Sequence, residues 1–98
     1  MAVTDLYVDE TLNYMRTLAK KAQVTIDGVE REYEIFKTLV EGRTVKHFVY
    51  LTNETGTITN AKLQDGQGRD LQHRTYNVRK GPDGFVVVFV ITISIKEA

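Results

Sequence analysis

The sequence contains no cysteine, which excludes a disulfide scaffold, a thiolate-bound zinc and a thiol nucleophile. It has one serine, Ser94, set in a run of β-formers rather than on a strand-to-helix elbow, so serine hydrolase chemistry has no seat. Neither charge is in excess. Thirteen basic residues balance thirteen acidic ones, so no whole-molecule field draws in nucleic acid or an anionic membrane. Neither GxxxxGK[ST] nor GxGxxG occurs, which removes the familiar phosphate-cradling loops. The one uncharged apolar-rich run, Gly84 to Ile95, is about half the roughly 20 residues that a bilayer crossing requires. The first residues, MAVTDLYVDE, show no basic or apolar leader pattern, so no signal peptide is expected. A soluble chain made in the cytosol is the expectation.

The residues that could carry chemistry are few and scattered. Of the two histidines, His47 alternates onto an apolar face with Val45, Val49 and Leu51, where a buried, hydrogen-bonded imidazole is expected. His73 stands between Gln72 and Arg74 in a polar stretch and is expected to face solvent. Two distant histidines without a thiolate make a poor transition-metal site. Asp65-Gly66-Gln67-Gly68-Arg69-Asp70 places two carboxylates around glycines but lacks the ligand spacing of a calcium loop, and reads as a hairpin turn. Glu30, Glu32 and Glu34 alternate along one strand face as a solvated surface. Asn53-Glu54-Thr55 matches a glycosylation acceptor by accident in a chain without a leader. No catalytic constellation, cofactor site or metal site is expected.

At 98 residues the chain is one domain, 1–98, with a core that buries about two-thirds of the unfolded surface. Val8, Leu12, Met15, Leu18 and Ala19 recur at helical spacing and predict a helix within Asp5 to Ala22, acidic near its start and basic near its end. From Gln23 onward the pattern is strands. Asp27-Gly28 accepts the positive φ angles of a type I′ turn and predicts a hairpin of Gln23–Ile26 with Val29–Val40. Thr44–Leu51 (TVKHFVYL) predicts a strand with Phe48 and Tyr50 on the face opposite His47. Thr57–Leu63 and a polar edge strand, Leu71–Val78, flank the turn at Asp65.

The last segment, Phe85 to Ile95, alternates cleanly. Phe85, Val87, Phe89, Ile91, Ile93 and Ile95 point to a core. Val86, Val88 and Val90 point the other way and are also apolar. As one strand it would span about 36 Å, beyond the usual ~17–20 Å. With no charge and no proline, such a strand needs cover on both surfaces. The helix could cover the valine face, or another subunit could. The predicted fold is α+β, an N-terminal helix packed on an antiparallel sheet or small β-sandwich of about five or six strands.

Charge segregates along the chain. Asp27, Glu30, Glu32, Glu34 and Glu41 dominate the first hairpin, whereas Lys62, Arg69, Arg74, Arg79 and Lys80 dominate later strands. These are either two solvated faces or an acidic edge and a basic edge that orient neighbouring copies. A nucleic-acid groove is not expected, because Tyr76 is the only aromatic among those basic residues.

Three stretches, VTIDGVEREYEI, HFVYLTNETGTITNAKLQDGQGRDL and GPDGFVVVFVITISIKEA, together resemble small structural proteins of tailed bacteriophages and Gram-positive prophages. The shared features are a helix, short antiparallel strands joined by polar glycine turns, and an apolar last strand ending in Lys-Glu. The likeness is to the β-sandwich N-terminal regions of baseplate and tail-fibre proteins. It implies a virion component, made in the host cytoplasm, that self-associates as a homo-oligomer and docks on neighbouring virion proteins. Lacking a long fibre extension, the chain is not expected to bind a host receptor. Tail or baseplate is the first placement and capsid decoration the alternative. Val86, Val88 and Val90 would form the apolar contact, with Tyr50, Glu30, Glu32 and Arg74 as polar contacts. A rival reading follows the cystatin architecture, a helix and an antiparallel meander acting as an inhibitor or peptide-binding module. Its QxVxG loop is missing, because Gln23-Val24-Thr25-Ile26-Asp27 lacks the glycine. A small enzyme with a helix over a curved sheet is the third reading, without an acid–base pair to support it.

Overall fold

The computed structural model describes residues 4–97. The first three residues of MAVTDLYVDE and the terminal Ala98 lie outside the described residues.

Helix α1 spans Asp5–Leu18. Thr4 caps it in an extended conformation, its hydroxyl accepting from the Tyr7 N–H at 3.3 Å. Val8 and Leu12 are buried, with Met15 packed beside them, so the apolar stripe read from the sequence is the one that docks. The helix stops short of the predicted Ala22. Ala19 turns extended, and Lys20 donates its N–H to Gln64 O at 2.9 Å, so sheet pairing captures the chain before the helix can continue. Ala22 becomes a fully buried strand residue.

Seven strands follow. β1 (Lys21–Ile26), β2 (Val29–Glu34), β5 (Gly56–Gln64) and β6 (Asp70–Lys80) form one antiparallel sheet in the order β2-β1-β5-β6. β3 (Lys37–Glu41), β4 (Thr44–Leu51) and β7 (Phe85–Thr92) form a second in the order β3-β4-β7. The fold is α+β, as predicted, with one helix on two sheets. Neither sheet is a meander with a helix laid across it, which removes the cystatin-like arrangement.

The strand predicted over Val29–Val40 is two strands in different sheets. β2 ends at Glu34, the chain crosses at Ile35 and Phe36, and β3 starts at Lys37. The Phe36 N–H bonds to Phe48 O at 2.7 Å and fixes the crossing on the second sheet. Asp27 (φ 50°) and Gly28 (φ 78°) form the hairpin turn with both φ angles positive, as read from the sequence. Asp27 also reaches β5, where its carboxylate accepts from the Thr57 N–H at 2.9 Å. Gly56 makes this approach possible. Its φ is 138°, and a Cβ there would run into the Asp27 carboxyl group and stand 2.8 Å from Ile26 Cγ2.

The main core lies between the sheets. Val24, Ile26, Ile58 and Leu63 on one side meet Val49, Leu51, Val87 and Phe89 on the other. A second cluster joins Val8 and Leu12 to Val45, Ile93 and Ile95. The helix therefore closes the end of the sandwich where β4 begins and β7 ends. β7 is also shorter than the predicted 85–95 run. Beyond Thr92 the Ile93 N–H bonds to Arg43 O at 2.9 Å in the β3–β4 turn, and Ile93 and Ile95 turn under the helix.

Candidate assembly surface

The outward faces of the two sheets differ in kind. On the four-stranded sheet, Glu32 receives hydrogen bonds from Lys21 Nζ (3.1 Å) and Gln23 Nε2 (3.3 Å), Glu30 stands opposite Thr25, and Lys62 stands opposite His73. Water can solvate all of these. His73 is exposed, as expected.

The outward face of the three-stranded sheet carries an apolar band, built from Phe36, Leu39, Phe48, Tyr50, Val86, Val88 and Val90, with Lys37, Lys46, Glu41, Thr44 and Thr92 set along it. Strand register places Tyr50 beside Val86, Phe48 between Lys37 and Val88, Lys46 between Leu39 and Val90, and Thr44 between Glu41 and Thr92. At one end Phe36 meets Tyr50, with ring centroids 6.1 Å apart and planes tilted by 41°. Phe36 is 72% exposed, Val86 47%, Tyr50 46% and Val90 43%, while Val88 is half-buried by its neighbours. The helix does not cover this face. It seats on the opposite side of the same sheet, against Val45, so the valine face is open within the monomer.

Of the residues predicted to make contacts, Val86, Val88, Val90 and Tyr50 come together on this face. Glu30 and Glu32 do not belong to it, lying on the outward face of the other sheet. Arg74 turns inward: its guanidinium donates to Val88 O and stacks 5.2 Å from the Tyr76 ring centroid. Gln72 Nε2 donates to Val90 O at 3.3 Å beside it. β6 is an edge strand of its sheet, as predicted, and its side chains cap the outer edge of β7.

Part of each charged group falls at opposite edges of the four-stranded sheet, Glu30, Glu32 and Glu34 on β2 and Arg74, Arg79 and Lys80 on β6, whereas Glu41 lies on β3 of the other sheet and Lys62 on the interior strand β5. Several of the basic groups are engaged within the chain. Arg69 Nε bonds to Asp65 at 2.6 Å, Arg74 holds β7, and buried Lys80 donates to the carbonyls of Thr52, Glu54 and Gly81. Their chemistry is structural, and sequence gave no sign of it.

Lys80 fastens the Thr52–Gly56 loop, and Glu54 does so from the other side. Tyr33 donates a hydrogen bond to its carboxylate, and the Thr52 N–H and hydroxyl donate at 2.9 and 3.0 Å. Burial raises the Glu54 pKa, but these hydrogen bonds and that of its own backbone outweigh it and hold the carboxyl at about 2. Burial first, and then the Glu54 carboxylate, push the Tyr33 phenol well above its ordinary value, so it stays a donor. Asp65 likewise caps its own turn, accepting from the N–H groups of Gln67 and Arg69 at 2.9 Å each. The turn expected at Asp65–Asp70 forms. Asp70 accepts from Gln64 Nε2 at 2.8 Å.

His47 is 3% exposed, with Nδ1 at 3.0 Å from the Thr38 hydroxyl, the buried and hydrogen-bonded imidazole expected from the sequence. Burial lowers its pKa. Ser94 lies past the end of β7 and is exposed. Among the described residues no group of three or more His, Asp or Glu side chains is placed to hold a metal ion.

Phe36, Phe48 and Leu39 complete the apolar face. Phe36 is hidden in the sequence because Val29–Val40 has the composition of one continuous strand. The adjacent pair Ile35-Phe36, two bulky residues that an alternating strand would send to opposite faces, was the available sign of a crossing. No protein-family model matches the chain, nor does any curated protein or solved structure.

Proposed function

We propose that this chain is a structural subunit of a tailed-bacteriophage virion, in the tail or baseplate, assembled in the host cytoplasm by contact with its own copies and neighbouring virion proteins. The observation that carries the reading is the contrast between the two outward faces: one charged and solvated, the other bearing an exposed apolar band that the helix leaves open.

Magnitudes favour a repeated contact over a single tight one. With aromatic side chains of about 150–250 Å², Phe36, Tyr50, Val86 and Val90 leave on the order of 300–400 Å² of apolar surface exposed. That is the size of a monomer's largest functional patch, about 300–600 Å². It falls below the ~800 Å² per partner of a standard stable interface. Gross burial at ~25 cal/mol per Å² amounts to roughly 8–10 kcal/mol, much of it offset by the ~4–15 kcal/mol cost of association. Such a face adheres weakly to one neighbour and firmly when symmetry repeats it around a ring. A virion supplies that repetition.

The test is immunogold labelling of phage particles induced from the bacterium that carries the gene. Antibody against the chain labels the tail or baseplate if the proposal holds. Particles that carry no label while the free protein stays in the lysate would overturn it.

A further inference from the structure

Every sheet edge invites pairing, and in this chain the four edges are handled differently. The outer edge of β7 is capped by Arg74 and Gln72. β6 lends Gln72 and Arg74 to that capping, and its own edge carries the basic residues Arg74, Arg79 and Lys80. β2 carries Glu30, Glu32 and Glu34 on one face, so an antiparallel partner strand of its own kind sets glutamate against glutamate in every register that keeps like faces together. β3, Lys37–Glu41, has none of these protections.

The direction of its backbone groups follows from the ladder. Val88 O and Val90 O accept from β6, so these residues turn their backbone groups away from β4. Alternation then turns the groups of Lys46 and Phe48 toward β3, as the bond from the Phe36 N–H to Phe48 O confirms. Lys37, Leu39 and Glu41 therefore bond to β4, and Thr38 and Val40 present their N–H and C=O groups outward.

We propose that β3 pairs antiparallel with β3 of a second copy, about a two-fold axis at Leu39, joining the two three-stranded sheets into one continuous sheet. In this register Thr38 faces the partner's Val40, and both outward-facing residues exchange backbone hydrogen bonds with their counterparts. On the outward face Leu39 meets the partner's Leu39. Lys37 meets the partner's Glu41, and the symmetric contact repeats it. Centring one residue earlier would set Lys37 against leucine, and one later would set Glu41 against leucine. Only this register matches opposite charges. Among the described residues neither Lys37 nor Glu41 has an ion-pair partner within the chain. The two apolar faces end up side by side and make one larger surface. The inference rests on the assembly reading and names the self-contact within it.

The experiment is sedimentation equilibrium of the wild type, Lys37→Glu, Glu41→Lys, the double reversal and Val88→Glu, with thermal unfolding to confirm that each folds. Lys37 and Glu41 are exposed, so their reversal leaves the monomer intact. The wild type is a dimer. Each single reversal turns two attractive pairs into like-charge pairs and weakens the dimer about ten-fold or more, the double reversal restores it, and Val88→Glu leaves it unchanged. Val40→Pro, which removes an outward N–H and spares the β4 ladder, abolishes it. A double reversal as weak as the singles, or singles as tight as the wild type, overturns the inference. Association lost in Val88→Glu alone would overturn the edge contact and leave the face-based assembly reading standing. A monomer in every variant, the wild type included, would count against both.

Discussion

Arg74 on β6 donates its guanidinium hydrogen bond to the backbone carbonyl of Val88 on β7, linking strands that belong to different sheets. Together with the bond from Gln72 to Val90 O, it caps the one apolar strand edge that would otherwise template pairing with another chain. A polar residue of one sheet thus guards the exposed edge of the other.

Replacing Arg74 with Ala removes the capping donor and the stacking on Tyr76. A charge-assisted bond is worth about 1.5–3 kcal/mol, and the exposure of Arg74 reduces this to roughly 1 kcal/mol of lost stability. The larger effect is on behaviour: the bare β7 edge should aggregate on heating. Urea unfolding and light scattering check the two parts, and an Arg74→Ala protein that stays clear and dispersed would show that the cap is dispensable.

Gly56 is the position where a single methyl group should do most damage. Gly56→Ala drives a Cβ into the Asp27 carboxyl group, which holds the Thr57 N–H, and imposes a φ of 138° on an L residue. A loss of about 2–4 kcal/mol is expected from the clash, the broken bond and the strain. Gly28→Ala, where the new Cβ meets nothing, should cost only about 1 kcal/mol for its positive φ. Denaturant unfolding of the pair checks the ratio.

Stability should fall with acidity in two windows. Burial depresses the His47 pKa, so as pH drops below about 6.5 the unfolded chain takes up a proton that the folded one refuses, and stability declines. His47 lines a small cavity with Met15, Leu18, Ala19, Val45, Leu63, Leu71 and Ile91, none of them charged. His47→Gln should flatten this window. Glu54 acts lower. With its folded pKa at about 2, it contributes stability above its unfolded pKa, and that contribution is lost as pH falls from about 4.5 toward 2. Tyr33→Phe removes its strongest donor, shrinks the lower window and costs about 1 kcal/mol at neutral pH. Thermal melts from pH 7 to pH 2 of the three proteins separate the contributions.

Much of the architecture was legible in the residues. Asp27-Gly28 fixed its hairpin, TVKHFVYL its strand, and the alternation about Val87 and Phe89 its core face, because local backbone preference and period-two burial agree there. The crossing at Ile35-Phe36 was not, since an alternating strand and two short strands in facing sheets differ by a tertiary choice. Lys80 was equally hidden. As one of a basic group it read as surface, and only the fold brings the carbonyls of Thr52, Glu54 and Gly81 around its ammonium. Of the contact residues, Val86, Val88 and Val90 could be read because strand parity places them on one face, and Tyr50 joins them through the pairing of β4 with β7. Arg74, Glu30 and Glu32 could not, because their destinations depend on which sheet lies opposite.

The central claim is that the outward face of the β3-β4-β7 sheet is an assembly surface and not a part of the monomer's core. The measurement that bears on it most directly is thermal stability and higher-order association of Val88→Glu beside the wild type, at concentrations where the wild type forms species larger than a dimer. The account predicts an unfolding temperature within a few degrees of the wild type and no species beyond the dimer. A Val88→Glu chain that unfolds, or that still assembles as the wild type does, would contradict it.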